Sequence, residues 1–173
     1  MALGSAVVSR AGDGDEEALE LVYRSYESAV FTLARRICRN EADAQDVMQD
    51  TFLEVCRSIT KYRGEGSLWG WIRQVTVSKA LMHLRRERVR AAKSLDVDGF
   101  ALGSLATAPP EPTVPVELEA ALEQLSPVAR TVLWLHEVEG YTHQEIGEMM
   151  GKTASFSKSQ LSRAHQRLRE LHA

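Results

Sequence analysis

Aromatic side chains are scarce in this chain, at 6% of its 173 residues. Strands draw on aromatic and β-branched residues, so the scarcity counts against a sandwich or barrel and favours helices. Long apolar runs are missing too. None approaches the roughly 20 residues that span a bilayer. Residues 1–10 have neither the basic start nor the long apolar core of a signal peptide. The expectation is a cytoplasmic protein without membrane insertion. Cysteine is limited to Cys38 and Cys56, and neither belongs to a CxxC pair or lies near a histidine at ligand spacing. That predicts two reduced, partly buried thiols and no metal site. P-loop and nucleophile-elbow motifs are absent as well. His83, His136, His143, His165 and His172 are scattered and read as surface residues. No catalytic residue, cofactor, metal or small-molecule substrate is expected.

Excess positive charge is the last thing lacking, the net charge being −3. For a nucleic-acid binder the distribution of charge matters more than its sum. Acid gathers at Asp13, Asp15, Glu16, Glu17 and Glu20, then at Asp43, Asp46 and Asp50. Base gathers at Arg85, Arg86, Arg88, Arg90 and Lys93, and again across residues 152–169. Acidic and basic faces on one chain suggest two kinds of partner.

What the chain does have is helical periodicity. Leu19, Val22, Tyr23, Tyr26, Val30, Leu33, Ala34 and Ile37 form an apolar stripe that Asn40 ends. A second helix is predicted over 41–58, with Val47, Met48, Phe52 and Val55 inward. A glycine-bearing break over 62–67 follows. Ser67 then caps a third helix from 68 to about 90, facing inward with Trp71, Ile72, Val75, Leu81 and Leu84. Periodicity dissolves over 94–115. Four of the five prolines fall there, at Pro109, Pro110, Pro112 and Pro115, as in an extended linker. The fold class is therefore all-α: two small helical domains joined by a flexible linker. The boundaries are a flexible N-terminus over 1–15, a helical bundle over 16–93, a linker over 94–116 and a second domain over 117–173.

In the second domain, Ser126 and Pro127 start a helix that Gly140 stops. Thr142 and Glu145 have capping-box spacing, with Ile146, Met149 and Met150 as the buried edge. Gly151 ends that helix, and Thr153 or Ser155 caps a last one reaching Leu171. Short helix, glycine turn and longer helix is the pattern of a helix-turn-helix. In the last helix Leu161, Ala164, Leu168 and Leu171 face inward. Ser155, Phe156, Lys158, Ser159, Ser162 and Arg163 occupy its first half, the part that reads base edges in such folds. Arg167 lies further along and suits phosphate. Taken alone, the segment also fits a solvated bundle, with Lys158 a surface lysine and Phe156 a core residue.

The same residues carry a family resemblance. Residues 122–133, 139–151 (Glu-Gly-Tyr-Thr-His-Gln-Glu-Ile-Gly-Glu-Met-Met-Gly) and 158–169 resemble region 4 of sigma-70-type factors. Residues 43–55 (Asp-Ala-Gln-Asp-Val-Met-Gln-Asp-Thr-Phe-Leu-Glu-Val) are similar to region 2.2, residues 62–72 to the loop and start of region 2.3, and residues 81–86 to the end of region 2.4. The small extracytoplasmic-function subgroup fits best. The resemblance implies a promoter-specificity subunit acting with core RNA polymerase, through its clamp helices and flap, and with promoter DNA. An anti-sigma partner is implied as well.

By that resemblance Asp43, Asp46, Gln49, Asp50 and Glu54 form the polymerase-docking face, and the acids among them fall every third or fourth position. Tyr62, Arg63, Glu65, Ser67 and Trp69 take the strand-separated −10 element, with Tyr62 stacking on an unpaired base. Arg73, Lys79, Arg85 and Arg86 hold phosphates. Ser155, Phe156, Lys158, Ser159, Ser162, Arg163 and Arg167 contact the −35 element. Departures from the family pattern fall at Ser78 and Met82, which bear on the captured base, and at Phe156, Ser157 and His165, which bear on the −35 contacts. A stand-alone helix-turn-helix regulator and a helical adaptor are the competing readings.

Overall fold

Capping residues decide where the helices of the first unit begin. The computed structural model describes residues 3–62, 64, 66–95 and 116–171, and among them every regular element is helical. Contacts divide the chain into units covering Met1–Gly103 and Ser104–Ala173. The first unit opens with α1 (Ser5–Gly12) and α2 (Glu16–Cys38). The Asp15 side chain accepts from the Ala18 N–H at 3.0 Å, and Glu16 and Glu17 complement the helix dipole. Residues 1–15 were expected to be flexible, but α1 packs on the bundle. Its Val7, Val8 and Ala11 supply an apolar side, Ala11 is only 2% exposed, and Arg10 clasps Asp15 at 2.7 Å.

Arg39, left-handed at φ 72°, ends α2. Asn40 therefore serves the next helix and not the previous one: its side chain accepts from the Asp43 N–H at 2.7 Å and starts α3 (Glu41–Ser58). A 3-10 turn (Ile59–Lys61) leads to the glycine loop and to α4 (Leu68–Leu95), which outruns its expected end near residue 90. Ser67 Oγ accepts from the Gly70 N–H at 3.0 Å, as a cap should.

Helices α2, α3 and α4 enclose one core, built from Val22, Tyr26 and Val30, from Phe52 and Val55, and from Leu68 and Ile72. Each such side chain contributes roughly 1.5–3 kcal/mol when fully buried. Ile72 and Leu81 are buried as the periodicity predicts. Trp71, Val75 and Leu84 are only half-buried, because Thr76, Val77 and Ala80 take the innermost positions of α4. Thr76 resolves its buried hydroxyl by donating to the Ile72 carbonyl at 2.9 Å.

The second unit comprises α5 (Val116–Glu123), α6 (Pro127–Leu133), α7 (His143–Met150) and α8 (Ala154–Leu171). Ser126 Oγ accepts from the Ala129 N–H at 3.2 Å and starts α6. The residues after it, Trp134–Val138, form a π turn before Gly140 reverses the chain at φ 74°. Leu135, Tyr141, Ile146, Leu161 and Ala164 form the buried interior. Leu171, expected inward, is 40% exposed, since the helix has by then outrun its neighbours' apolar surface. No helix among the described residues is long and apolar enough to cross a membrane.

Candidate nucleic-acid interface

The helix-turn-helix geometry follows from five small or capping residues. Thr142 and Glu145 form the full capping box: Thr142 Oγ1 accepts from the Glu145 N–H at 3.2 Å, and Glu145 Oε2 accepts from the Thr142 N–H at 2.7 Å. Gly151 stops α7 in the left-handed region at φ 63°. Thr153 caps α8, its Oγ1 accepting from the Phe156 N–H at 3.2 Å. Gly147 lets the turn come close: a Cβ there would lie 2.8 Å from the Thr153 carbonyl carbon and 3.0 Å from the Ala154 nitrogen. Helices α7 and α8 thus meet backbone to backbone.

On α8, Ser155, Lys158, Ser159, Ser162 and Arg163 are all exposed, and they succeed one another along one face. That is a hydroxyl-and-cation surface starting at a helix N-terminus, suited to an anionic duplex. Two neighbours behave differently. Phe156 is half-buried with Lys152 Nζ 5.9 Å above its ring, and Ser157 is fully buried. Arg167 is paired with Glu170 at 3.3 Å and His165 with Glu137 at 3.4 Å, both exposed contacts.

In the first unit the loop between α3 and α4 is shaped by Gly64 and Gly66, at φ 76° and 79°. Tyr62 closes it, its hydroxyl donating to the Gly66 carbonyl at 2.9 Å. The Tyr62 ring lies 5.9 Å from Trp71, tilted by 39°. Trp69 stacks on buried Tyr26 at 5.9 Å and 11°. The rings of Tyr62, Trp69 and Tyr26, with Leu68 and Ile59, line a cleft of about 1000 Å³, with Val8 and Gly12 of α1 as its far wall. Arg63 and Glu65 lie outside the described residues. Down the outer face of α4 run Ser78, Met82, Arg85 and Arg86, all exposed, with Met82 at 41%. Arg73 is half-buried. Lys79 does not point down this face alone: it is ion-paired to Glu54 at 2.9 Å.

The acidic stripe on α3 divides. Asp46, Gln49 and Asp50 are exposed, and apolar Leu53, 52% exposed, lies among them. Asp43 instead accepts from the Asn40 amide and sits 3.0 Å from His83 Nε2. Glu54 holds Lys79, whose hydrogen bond and charge lower its carboxyl below the usual range. Helical spacing alone could not separate the two groups, because the partners come from α4. Cys38 is buried, which pushes its thiol up to about 12, with Asp43 adding to the shift, whereas Cys56 is exposed.

Comparison with known proteins fits this layout. Residues 22–90 match the family described as Sigma-70 region 2, and residues 116–168 match Sigma-70, region 4. The RNA polymerase sigma factor CarQ of Myxococcus xanthus is 30% identical over 164 residues, covering 95% of this chain and 94% of that protein. The chain belongs to the sigma-70 family of RNA polymerase sigma factors. Within it, the chain falls in the extracytoplasmic-function group. The ECF sigma factor SigE of Mycolicibacterium smegmatis is 32% identical over 166 residues, and the chain spans 63% of its length. In fold, this sigma factor resembles RpoE, solved with the anti-sigma factor NepR from Bartonella quintana, with a TM-score of 0.65, 22% identity and coverage of 88% of this chain and 94% of that one. CnrH, solved with the cytosolic domain of CnrY, gives a TM-score of 0.55 at 20% identity, covering 96% of this chain and 94% of that one. Sigma factors of this family direct promoter-specific initiation of transcription.

Sequence reasoning missed several features of this sigma factor. Leu53 was passed over because a single exposed leucine carries no periodic signal. The α1 wall was passed over because eight residues give too few turns to register. The contact of His143 with Ser157, at 3.0 Å across 14 residues, leaves no trace in local pattern.

Proposed function

We propose that the two units grip one promoter at two places while the first also docks on core RNA polymerase. The observation that carries this reading is the exposed Ser155, Lys158, Ser159, Ser162 and Arg163 face, mounted on a capped helix-turn-helix. That face enters the major groove of the −35 element, with Lys158 and Arg163 on base edges and Arg167 on phosphate. The cleft beside Tyr62 and Trp69, with Ser67 in its lining, takes an unpaired base of the −10 element, and Arg63 and Glu65 read that base's edges. Stacking there offsets the few kcal/mol that extrusion costs. Ser78 lines the same path, while Arg73, Arg85 and Arg86 follow the backbone.

Asp46, Gln49 and Asp50, with Leu53 among them, form the surface for the polymerase clamp helices. Asp43 and Glu54 flank it and brace it against α4, and the second unit meets the flap. By analogy with the relatives solved in complexes, an anti-sigma factor covers one of these surfaces when transcription is off. The protein works in the cytoplasm and has no catalytic role of its own.

Footprinting of a promoter by this chain plus core polymerase tests the reading. Two protected blocks are expected, the downstream one reactive to single-strand reagents. A single symmetric block formed without polymerase would instead mark a stand-alone regulator.

A further inference from the structure

The second unit holds a histidine pair that the DNA-facing assignment does not use. His136, in the π turn, and His143, the first residue of α7, lie face to face, with centroids 4.3 Å apart and planes inclined by 17°. His136 Nδ1 lies 2.9 Å from the Tyr141 carbonyl oxygen. A carbonyl only accepts, so Nδ1 carries a proton and donates, and a neutral His136 keeps its lone pair on Nε2. His143 Nδ1 lies 3.0 Å from Ser157 Oγ, on a side chain fully buried in the first turns of α8. This tether reaches from α7 into the middle of the segment offered to the groove, with Ser155 before Ser157, and Lys158 and Ser159 after it.

We propose that His143 is a positioning residue for duplex binding: through Ser157 it sets the seat of α8 on α7, and it does so in its neutral form. The proposal rests on the reading that α8 enters DNA. Its physical basis is that a charge on His143 would face a second imidazole at stacking distance, in a partly desolvated place. The groups around it come from each packed element. The π turn supplies His136, which opposes a proton, and Glu137, which favours one; α8 supplies Lys158, which opposes one. Glu137 also faces His165 at 3.4 Å. Burial is the largest influence, and His143 is lowered from the ordinary histidine value.

The sign follows from proton linkage. A histidine that binds its proton less readily when folded confers stability that is complete above its unfolded pKa of about 6.5 and declines as pH falls below it. Acidification ordinarily tightens DNA binding by adding positive charge. Here it loosens the seat of the reading helix, so the two effects have opposite signs.

The test uses the full chain, isotope-labelled, titrated by NMR from pH 8 to 5.5. In parallel, the chain with core polymerase is titrated against a duplex from a promoter it transcribes. The amides of residues 155–163 are expected to move with the midpoint of the His143 ring, and affinity to fall over the lowest pH unit by less than about tenfold, the limit for one coupled proton. Ser157→Ala should uncouple the amides from the ring. His143→Gln, which keeps a hydrogen-bonding side chain but cannot titrate, should abolish the acid loss. Amides in α8 that ignore the His143 midpoint would overturn the proposal, as would an acid loss unchanged in His143→Gln. If no duplex binds at any pH, the DNA reading fails on its own, and the amide titration still decides whether His143 seats the helix.

Discussion

Lys79 Nζ lies 2.9 Å from Glu54 Oε2, so the helix proposed to face DNA, α4, is pinned to the helix proposed to meet polymerase, α3. Asp43 and His83, 3.0 Å apart, are a second point of close approach between α3 and α4. Lys79→Gln and Glu54→Gln should therefore be non-additive in a double-mutant cycle of thermal stability. Glu54 is held low by Lys79, so its contribution is complete above the unfolded glutamate pKa of about 4.3 and is lost as pH falls. If Lys79 instead held a phosphate, Lys79→Gln would lower the salt slope of DNA binding by about one. The expected change in that slope is none.

Gly147→Ala should destabilise the second unit, measured by urea unfolding. Alanine for glycine in a helix normally gains up to about 1 kcal/mol. Here the added carbon meets the backbone of Thr153 and Ala154 at 2.8 and 3.0 Å, which cannot swing away. Overpacking of this kind costs roughly 1–3 kcal/mol, so a net loss is expected.

How much of this was legible in sequence depends on whether the cause was local. Ser67, Ser126, Thr142, Glu145 and Gly151 announce helix ends because each acts within four residues, and the structure puts each to that use. Asn40 was misread because a cap and a stop draw on the same residue type, and only the left-handed Arg39 distinguishes them. The exposed face of α8 was legible as a run of hydroxyls and cations, but the burial of Ser157 was not, since it depends on His143 in another helix. The acidic stripe was legible as a stripe. Its division between solvent and α4 was not, since Lys79 and His83 lie 25 and 40 positions from their partners.

Lys158→Ala and Arg163→Ala should each weaken promoter binding by about 1–3 kcal/mol and relax preference at one −35 position. Binding competitions against a library of −35 variants measure both effects. A uniform loss across all variants would make these residues phosphate contacts.

Tyr62→Ala should slow promoter opening more than it weakens the closed complex, because the ring is proposed to stack on an unpaired base. Tyr62→Phe keeps the ring but drops the bond to the Gly66 carbonyl, and a loss of about 0.5–1.5 kcal/mol in loop order should have a smaller effect on opening. Permanganate reactivity of thymines against time reports opening. Equal losses in opening and in closed-complex affinity would remove the strand-capture role.

The most direct test is transcription itself. Core RNA polymerase stripped of sigma factor is mixed with this chain and a library of genomic fragments, and transcript 5′ ends are mapped. Starts should appear at defined sites that share two upstream sequence blocks, with preference relaxed at one position of the more distant block when Arg163→Ala replaces the native chain. Starts unchanged by adding the chain, or no complex with core polymerase, would contradict the assignment.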